Sequence, residues 1–347
     1  GCRDNPERQE CHPLIARRIY RAKERGARLI VADPRNIQLS RFADVAVNHR
    51  LGSDVALLNG MMHIIIQNNW HDQNYISQRI EGFDELKAAV ERYTPERVKS
   101  ITGVNPVDLE CMAGLYATNP PASLLYAMGI TQHTTGVDNV KSCCNLAMLC
   151  GNVGVAGGGV NPLRGQNNVQ GACDMGGLPD VYSGYQKTID EAARQRMAEA
   201  WGVEALPDQP GMKVTHMMPA AHDGTFKALY VIGENPVVSD ADVNHAEKCL
   251  DNLELLVVQD IFLTETAQRA DVVLPSACYA EKEGTFTNSE RRVQRVRKAV
   301  EPPGEAWDDW KILCEIATRM GYPMAYDNNE QIVRQSGGGS ASRRWLA

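Results

Sequence analysis

Residues 27–48, A-R-L-I-V-A-D-P-R-N-I-Q-L-S-R-F-A-D-V-A-V-N, decide the fold class. Residues 27–32 are a short apolar run of the kind that forms a buried strand, and Asp33 follows it directly. A polar connection leads to 43–47, a second strand, which carries Asp44 eleven residues after Asp33. The same grammar returns at 253–276, L-E-L-L-V-V-Q-D-I-F-L-T-E-T-A-Q-R-A-D-V-V-L-P-S. There the strand over 253–258 leads to Asp260, and Asp271 stands eleven residues further on, in Ala270-Asp271-Val272, at the start of a strand over 271–274. A repeated strand, Asp, polar connection and short Ala-Asp-Val strand implies two similar α/β units. Each offers a strand C-terminus, where open α/β sheets bind ligands.

Working outward, residues 13–25 read as a helix, with Pro13 at its start and Gly26 just past its end. Asp54 is placed to cap a helix running through 68. Thr94-Pro95-Glu96 and Asn105-Pro106-Val107-Asp108 start two more. Strands are predicted over 123–128 and 227–232, and helices over 136–150 and about 240–250. Strands alternating with helices call for parallel sheets covered on both faces. Between the halves lies G-N-V-G-V-A-G-G-G-V-N-P-L-R-G-Q-N-N-V-Q-G-A-C-D-M-G-G, residues 151–177, which has neither helical nor strand period. A loop of that length inside a compact domain is usually functional. Residues 336–344 are linker-like.

A chain of 347 residues fits about two domains. A net charge of −7 with no long basic run argues against nucleic-acid binding. The apolar stretches fall short of the roughly 18–20 residues a membrane helix needs, so no span is expected. None of the ten cysteines forms a C-x-x-C pair, so they read as reduced, structural thiols of a reducing, cytoplasmic compartment. The chain opens on Gly1 and not Met, which leaves room for a longer natural N-terminus.

The sequence has no G-x-x-x-x-G-K-[ST], which excludes a P-loop enzyme, and no G-x-G-x-x-G after a strand. Small residues that admit a phosphate-rich ligand do stand at strand ends: 51–54, 128–129, 233–236 and 275–276. Asp33 and Asp260 suit a ribose hydroxyl or a guanine amino edge; the alternative is a helix cap, or a partner for Arg35 or Arg269. Arg164, set among Gly165, Gln166, Asn167, Asn168 and Gln170, is suited to grip a small anion bidentately. No H-E-x-x-H or H-x-x-x-H pair exists. His133 follows a strand and is a candidate site residue, His63 reads as packed, and Met61-Met62 and Met217-Met218 read as core filler.

Residues 159–185, with V-A-D-P-R-N-I-Q-L-S-R-F-A-D-V-A-V-N, M-G-I-T-Q-H-T-T-G-V-D-N-V, V-I-G-E-N-P-V-V-S-D-A-D and E-K-E-G-T-F-T-N-S-E-R-R-V-Q, closely resemble the molybdenum- or tungsten-dependent formate dehydrogenases of the molybdopterin oxidoreductase superfamily. The resemblance implies two doubly wound, mostly parallel-sheet, dinucleotide-binding-like domains within a four-domain protein. It divides the chain into 1–166, 167–278, a piece of a small domain over 279–328 that leads into a C-terminal domain, and a disordered tail over 329–347. It implies oxidation of formate to CO₂ at a bis-molybdopterin guanine dinucleotide centre carrying Mo or W, with Arg164 orienting the formate carboxylate. Gln166 would stand beside the pterin. Asp33, Gly52, Asp54, Gly129 and Gln132 would serve one guanine dinucleotide and the pterins, and Asn235, Ser239, Gln259, Asp260, Ser276 and Asp309 the other. Glu10 falls near the first nucleotide loop of the pattern. The [4Fe–4S] cluster and the Cys or selenocysteine metal ligand would lie upstream, since Cys11-His12 falls in that nucleotide loop, and this chain supplies no metal ligand. Electron-acceptor subunits of an NAD-linked, ferredoxin or hydrogenase type would be partners, and the isolated polypeptide would turn over little. A cofactor-free structural relative and an oxyanion reductase are the competing readings.

Overall fold

The structure, a computed structural model, describes residues 12–288 and 291–336; Cys2, Glu10, Cys11 and all but the first residue of the linker-like tail fall outside them. The chain forms two compact units, Gly1–Gly165 and Gln166–Ala347.

In the first unit, α1 (Pro13–Glu24) starts on its proline and stops ahead of Gly26, whose φ of +95° glycine tolerates and other residues resist. β1 (Ile30–Ala32) and β2 (Val45–Val47) pair in parallel, with Ile30 opposite Val45. Asp44 fixes that register. Its carboxylate accepts the Leu29 amide at 2.7 Å, and its own amide donates to the Leu29 carbonyl at 2.8 Å. Then follow α2 (Asp54–Gln67), α3 (Gln73–Arg79), α4 (Phe83–Glu91), α5 (Pro95–Thr102), α6 (Pro106–Thr118), β3 (Ser123–Tyr126), the single turn α7 (Met128–Thr131), α8 (Gly136–Leu149) and β4 (Gly159–Pro162). The core gathers on α2, where Met62 and Ile65 are fully buried against Leu109, Met112 and Leu146. Truncating Met62 to Ala would cost about 3 kcal/mol. A Cβ on Gly60 would stand 2.6 Å from Val98 Cγ2, so the glycine is what lets α5 approach α2.

Two expectations need correction here. The glycine-rich stretch is not all loop: β4 lies inside it and pairs in parallel with β3, Ser123 opposite Gly159. The cause is tertiary. Asn152, buried at 1%, accepts the Ala122 amide on Oδ1 at 2.8 Å and holds the entry to β3, which presents an unpaired edge to G-V-N-P. Asp54 does not cap α2. Ser53 holds the N-cap position, and Asp54, the first helical residue, turns its carboxylate to His49.

The second unit begins with α9 (Val169–Asp174), also inside the stretch read as loop, and a short ribbon of β5 (Val181–Tyr182) and β6 (Gln186–Lys187). After α10 (Glu191–Trp201) and α11 (Val214–His222) comes a three-stranded parallel sheet. Its strands are β7 (Ala228–Ile232), β8 (Leu255–Asp260) and β9 (Val272–Pro275), with β8 in the middle. Between β7 and β8 the helix predicted over about 240–250 is α13 (Val243–Asp251), and a separate single turn, α12 (Pro236–Ser239), precedes it. Asp242 ends the break by capping α13, its carboxylate accepting the His245 amide at 3.1 Å. Asp271 accepts the Leu256 amide at 2.7 Å and returns its own at 2.9 Å, the clamp that Asp44 makes in the first unit. The hairpin β10 (Gly284–Thr287) and β11 (Val293–Val296), then α14 (Asp309–Arg319) and α15 (Asn329–Ser336), follow, so residues 329–336, expected to begin a disordered tail, are helical instead. Its core includes Val231, Ala246, Cys249, Leu256 and Val258. The eight cysteines among the described residues are free thiols. Among those residues no helix is long and apolar enough to cross a membrane.

Candidate functional site

Each unit exposes the C-terminal ends of parallel strands, and the candidate residues gather there. In the first unit Asp33 follows β1. Its Oδ1 accepts the Arg35 amide at 2.8 Å and lies 3.5 Å from the Arg35 guanidinium, so the pairing with Arg35 considered from sequence is present. Asn48, after β2, donates to the Asp33 carbonyl at 2.9 Å. The chain then turns through Gly52, at φ +74° with open space around its Cβ position, into α2.

Behind that turn sits a buried histidine–carboxylate hydrogen bond. His49 Nε2 is 3.0 Å from Asp54 Oδ1, and the residues are 5% and 7% exposed. Burial raises the Asp54 pKa, but the His49 hydrogen bond and charge outweigh it, with His133 adding to them, and the carboxyl titrates below its ordinary range. Among the described residues the buried His49 Nδ1 has no protein partner. An orphaned buried ring nitrogen beside an open glycine turn is what a polar ligand would satisfy.

After β3, Gly129 is exposed with nothing near its Cβ position, its carbonyl accepts from His133 Nε2 at 2.9 Å, and Gln132 is exposed. After β4, the Leu163 amide donates to the Tyr126 carbonyl at 2.7 Å, which carries the β3–β4 pairing one residue further and delivers Arg164 to the strand end. Arg164 is exposed. The Tyr126 pKa is raised by burial and by the Cys143 and Cys144 thiols, while the Arg164 cation pulls it down. Cys143 itself is pushed up to about 12, by burial first and then by Cys144 and Asp54. These thiols of α8 stay protonated at neutral pH, so they are poor nucleophiles.

Gln166 is exposed at the start of the second unit, and its carbonyl accepts the Val169 amide at 3.4 Å. Two of the amides read as loop donors have structural work. Asn168 Oδ1 accepts the Thr287 amide of β10 at 2.9 Å, and Gln170 donates to Asp174 at 2.8 Å.

In the second unit Asp260 ends β8, and its Oδ1 accepts the Phe262 amide at 3.1 Å, the turn Asp33 makes with Arg35. Arg269 does not pair with Asp260; it bonds to Glu247 and Asp251 instead. Gln259 is fully buried, accepts from Tyr230 Oη and donates to Asp309 Oδ1 at 2.7 Å. Asp309 opens α14, where the helix N-terminus favours its charge, and pairs with Lys282. Asn235, after β7, donates to Glu265 at 2.8 Å and accepts from the Thr266 hydroxyl at 2.7 Å. Ser239 donates to Glu234. Ser276, 7% exposed, donates its amide to the Asp260 carbonyl at 3.1 Å. The structure therefore joins Gln259 to Asp309 and Ser276 to Asp260 directly, and anchors Asn235 and Ser239 in the loop after β7.

Residues outside the sequence reading are His49, Tyr230 and Lys282. His49 was within reach, since V-A-V-N-H puts a histidine two residues past a strand. A cavity of about 220 Å³ lined by His63, Gln67, Asp84 and Lys87 holds none of the candidate residues.

Comparison with known proteins agrees with this architecture. The model of the molybdopterin oxidoreductase family matches residues 5–319. The chain is 48% identical over 323 residues to formate dehydrogenase H of Escherichia coli (strain K12), covering 93% of this chain and 45% of that protein. It is 52% identical over 320 residues to the F420-dependent formate dehydrogenase 1 subunit alpha of Methanococcus maripaludis, covering 92% and 47%. The chain thus spans just under half the length of these curated relatives. Among solved structures, acetylene hydratase from Pelobacter acetylenicus superposes with a TM-score of 0.74 at 25% identity, over 92% of this chain and 47% of that one.

Proposed function

The chain belongs to the molybdopterin oxidoreductase family, and from that premise we propose that it is the cofactor-cradling part of a formate dehydrogenase catalytic subunit. Family membership and the names of the relatives support a molybdenum or tungsten molybdopterin cofactor. The finer reading is a bis-molybdopterin guanine dinucleotide, one half served by each strand-end edge. In the first unit Asp33, Gly52, Asp54, Gly129 and Gln132 would hold it, the orphaned His49 Nδ1 and the open glycine turn being the features that fit. In the second, Gln166, Asn235, Ser239, Gln259, Asp260, Ser276 and Asp309 would do so. The amide and carboxylate chemistry of that edge suits a nucleotide. The [4Fe–4S] centre and the metal's protein ligand belong, in this reading, to the rest of the whole protein, as do the contacts to electron-acceptor subunits.

Oxidation of formate to CO₂ releases two electrons and one proton. The bound cofactor supplies the two-electron acceptor. This chain supplies position and charge. The Arg164 guanidinium matches a carboxylate in a planar, bidentate contact that fixes the C–H bond's direction. Cys143, kept neutral by burial, adds no negative charge that would repel the anion. The observation that carries the reading is Arg164, exposed at the C-terminal end of a parallel strand, beside Tyr126.

The test is Arg164→Lys in the whole protein. Lysine keeps the charge and loses the fork, so kcat/KM for formate should fall by about 10²-fold or more, with unfolding unchanged. An unaltered kcat/KM would remove Arg164 from the reaction. A substrate panel that favours nitrate or another oxyanion over formate would overturn the assignment to formate.

A further inference from the structure

Away from the strand ends, the second unit brings three metal-type ligands together. His222 is the last residue of α11, while His245 and Cys249 lie one turn apart on α13. Cys249 Sγ is 3.4 Å from His245 Nε2, the two imidazole centroids are 5.3 Å apart, and one ligand atom from each residue lies within 4.8 Å of the others. Zinc–nitrogen and zinc–sulfur bonds of about 2.0 and 2.3 Å put N and S ligands about 3.5 Å apart in a tetrahedron. The sulfur–imidazole separation already matches, and only the His222 ring, on an exposed residue, has to close in.

The scaffold is rigid where it must be. Cys249 and Ala246 are fully buried, and Ala221, beside His222, is 2% exposed. The end of α11 is tied to the end of α13 by Asn252, whose side-chain amide donates to the His222 carbonyl at 3.0 Å. Both helices lead into the N-terminal ends of β7 and β8, whereas Gln259 and Asp260 lie at the C-terminal end of β8. Nothing in the proposed formate chemistry uses the cluster.

We propose that His222, His245 and Cys249 form a site for a borderline d-block dication, Zn²⁺ foremost, which pins α11 to α13. Two imidazoles and a thiolate are the ligand set such ions select over Mg²⁺ or Ca²⁺. Binding displaces the Cys249 thiol proton to solvent, and a water completes the fourth position on the exposed His222 side.

The test is titration of the 347-residue chain, free of any histidine tag and stripped with chelator, with Co²⁺ as a coloured stand-in for Zn²⁺. The expected result is a thiolate-to-cobalt charge-transfer band that saturates at one equivalent and is bleached by Zn²⁺. Cys249→Ala should abolish the band. His222→Ala, at an exposed position that leaves the fold intact, should weaken binding by at least about tenfold, since even losing a group that merely supports a metal ligand costs that much. Absence of the band in the unaltered chain overturns the site. So does a band that survives Cys249→Ala, or an affinity unchanged by His222→Ala. Should Cys249→Ala fail to fold, the His222→Ala result decides alone.

Discussion

In the first unit Asp44 takes the Leu29 amide at 2.7 Å and returns its own to the Leu29 carbonyl at 2.8 Å; in the second, Asp271 treats Leu256 the same way at 2.7 and 2.9 Å. Asp33 and Asp260 then close the same two-residue turn beyond the strand. The modules diverge in what surrounds them. Among the described residues β1 pairs with β2 alone, whereas β8 is held on both sides by β7 and β9. The residue before the turn is accordingly the exposed Ala32 in one and the fully buried Gln259 in the other. Gln259 ties its strand end to Tyr230 and Asp309, so that edge is ordered from within. The first edge relies on the His49–Asp54 pair. A local module thus sets register and turn, and its neighbours decide how the strand end is stiffened.

The largest break in this comparison should come from Asp54→Ala. It leaves His49 buried without its carboxylate, and such losses cost about 3 kcal/mol. Hydrogen exchange should show α2 and β2 opening far more readily, with β7–β9 unchanged. A uniform effect on both units would contradict the idea that each edge has its own support. A smaller effect sharpens the likeness. Asp44→Asn and Asp271→Asn each weaken a charge-assisted bond to a backbone amide, a loss of about 1 kcal/mol. The Leu29 and Leu256 amides should then exchange about fivefold faster, each in its own variant only. Equivalence fails if just one of the two responds. Smallest is the pH effect. The Asp44 carboxyl is held well below its ordinary value of 3.8, by the Lys23 hydrogen bond first and then by the Leu29 amide. A depressed folded pKa means a stabilisation present above 3.8 and lost as pH falls below it. Leu29 protection should therefore decline on acidification past that value, and Asp44→Asn should flatten the decline.

Much of this was legible in the chain because local rules and tertiary demands agree there. Pro13, Pro95 and Pro106 begin helices where they stand, and the eleven-residue spacing of Asp33–Asp44 and Asp260–Asp271 foretold paired modules. What escaped was set by partners distant in sequence. G-V-N-P becomes β4 only because β3 offers it an edge, and α9 is too short for a helical period to show. His49 and Asp54 are five residues apart, yet their pairing depends on burial that no spacing reveals. The His222–His245–Cys249 cluster had one visible cue, a histidine and a cysteine four apart on a helix; its third member comes from another helix 23 residues earlier.

The pair of hydrogen bonds between Asp44 and Leu29 has an implication for how such proteins change over time. It ties the residue before β1 to the residue that follows the connection over 34–43, so register no longer depends on what lies between. Asp271 does the same for residues 261–270. The connections are therefore interchangeable cassettes: each can be rewritten, lengthened or exchanged for the other while the strands beneath stay in place. That is where a family keeping one scaffold can diversify what it recognises.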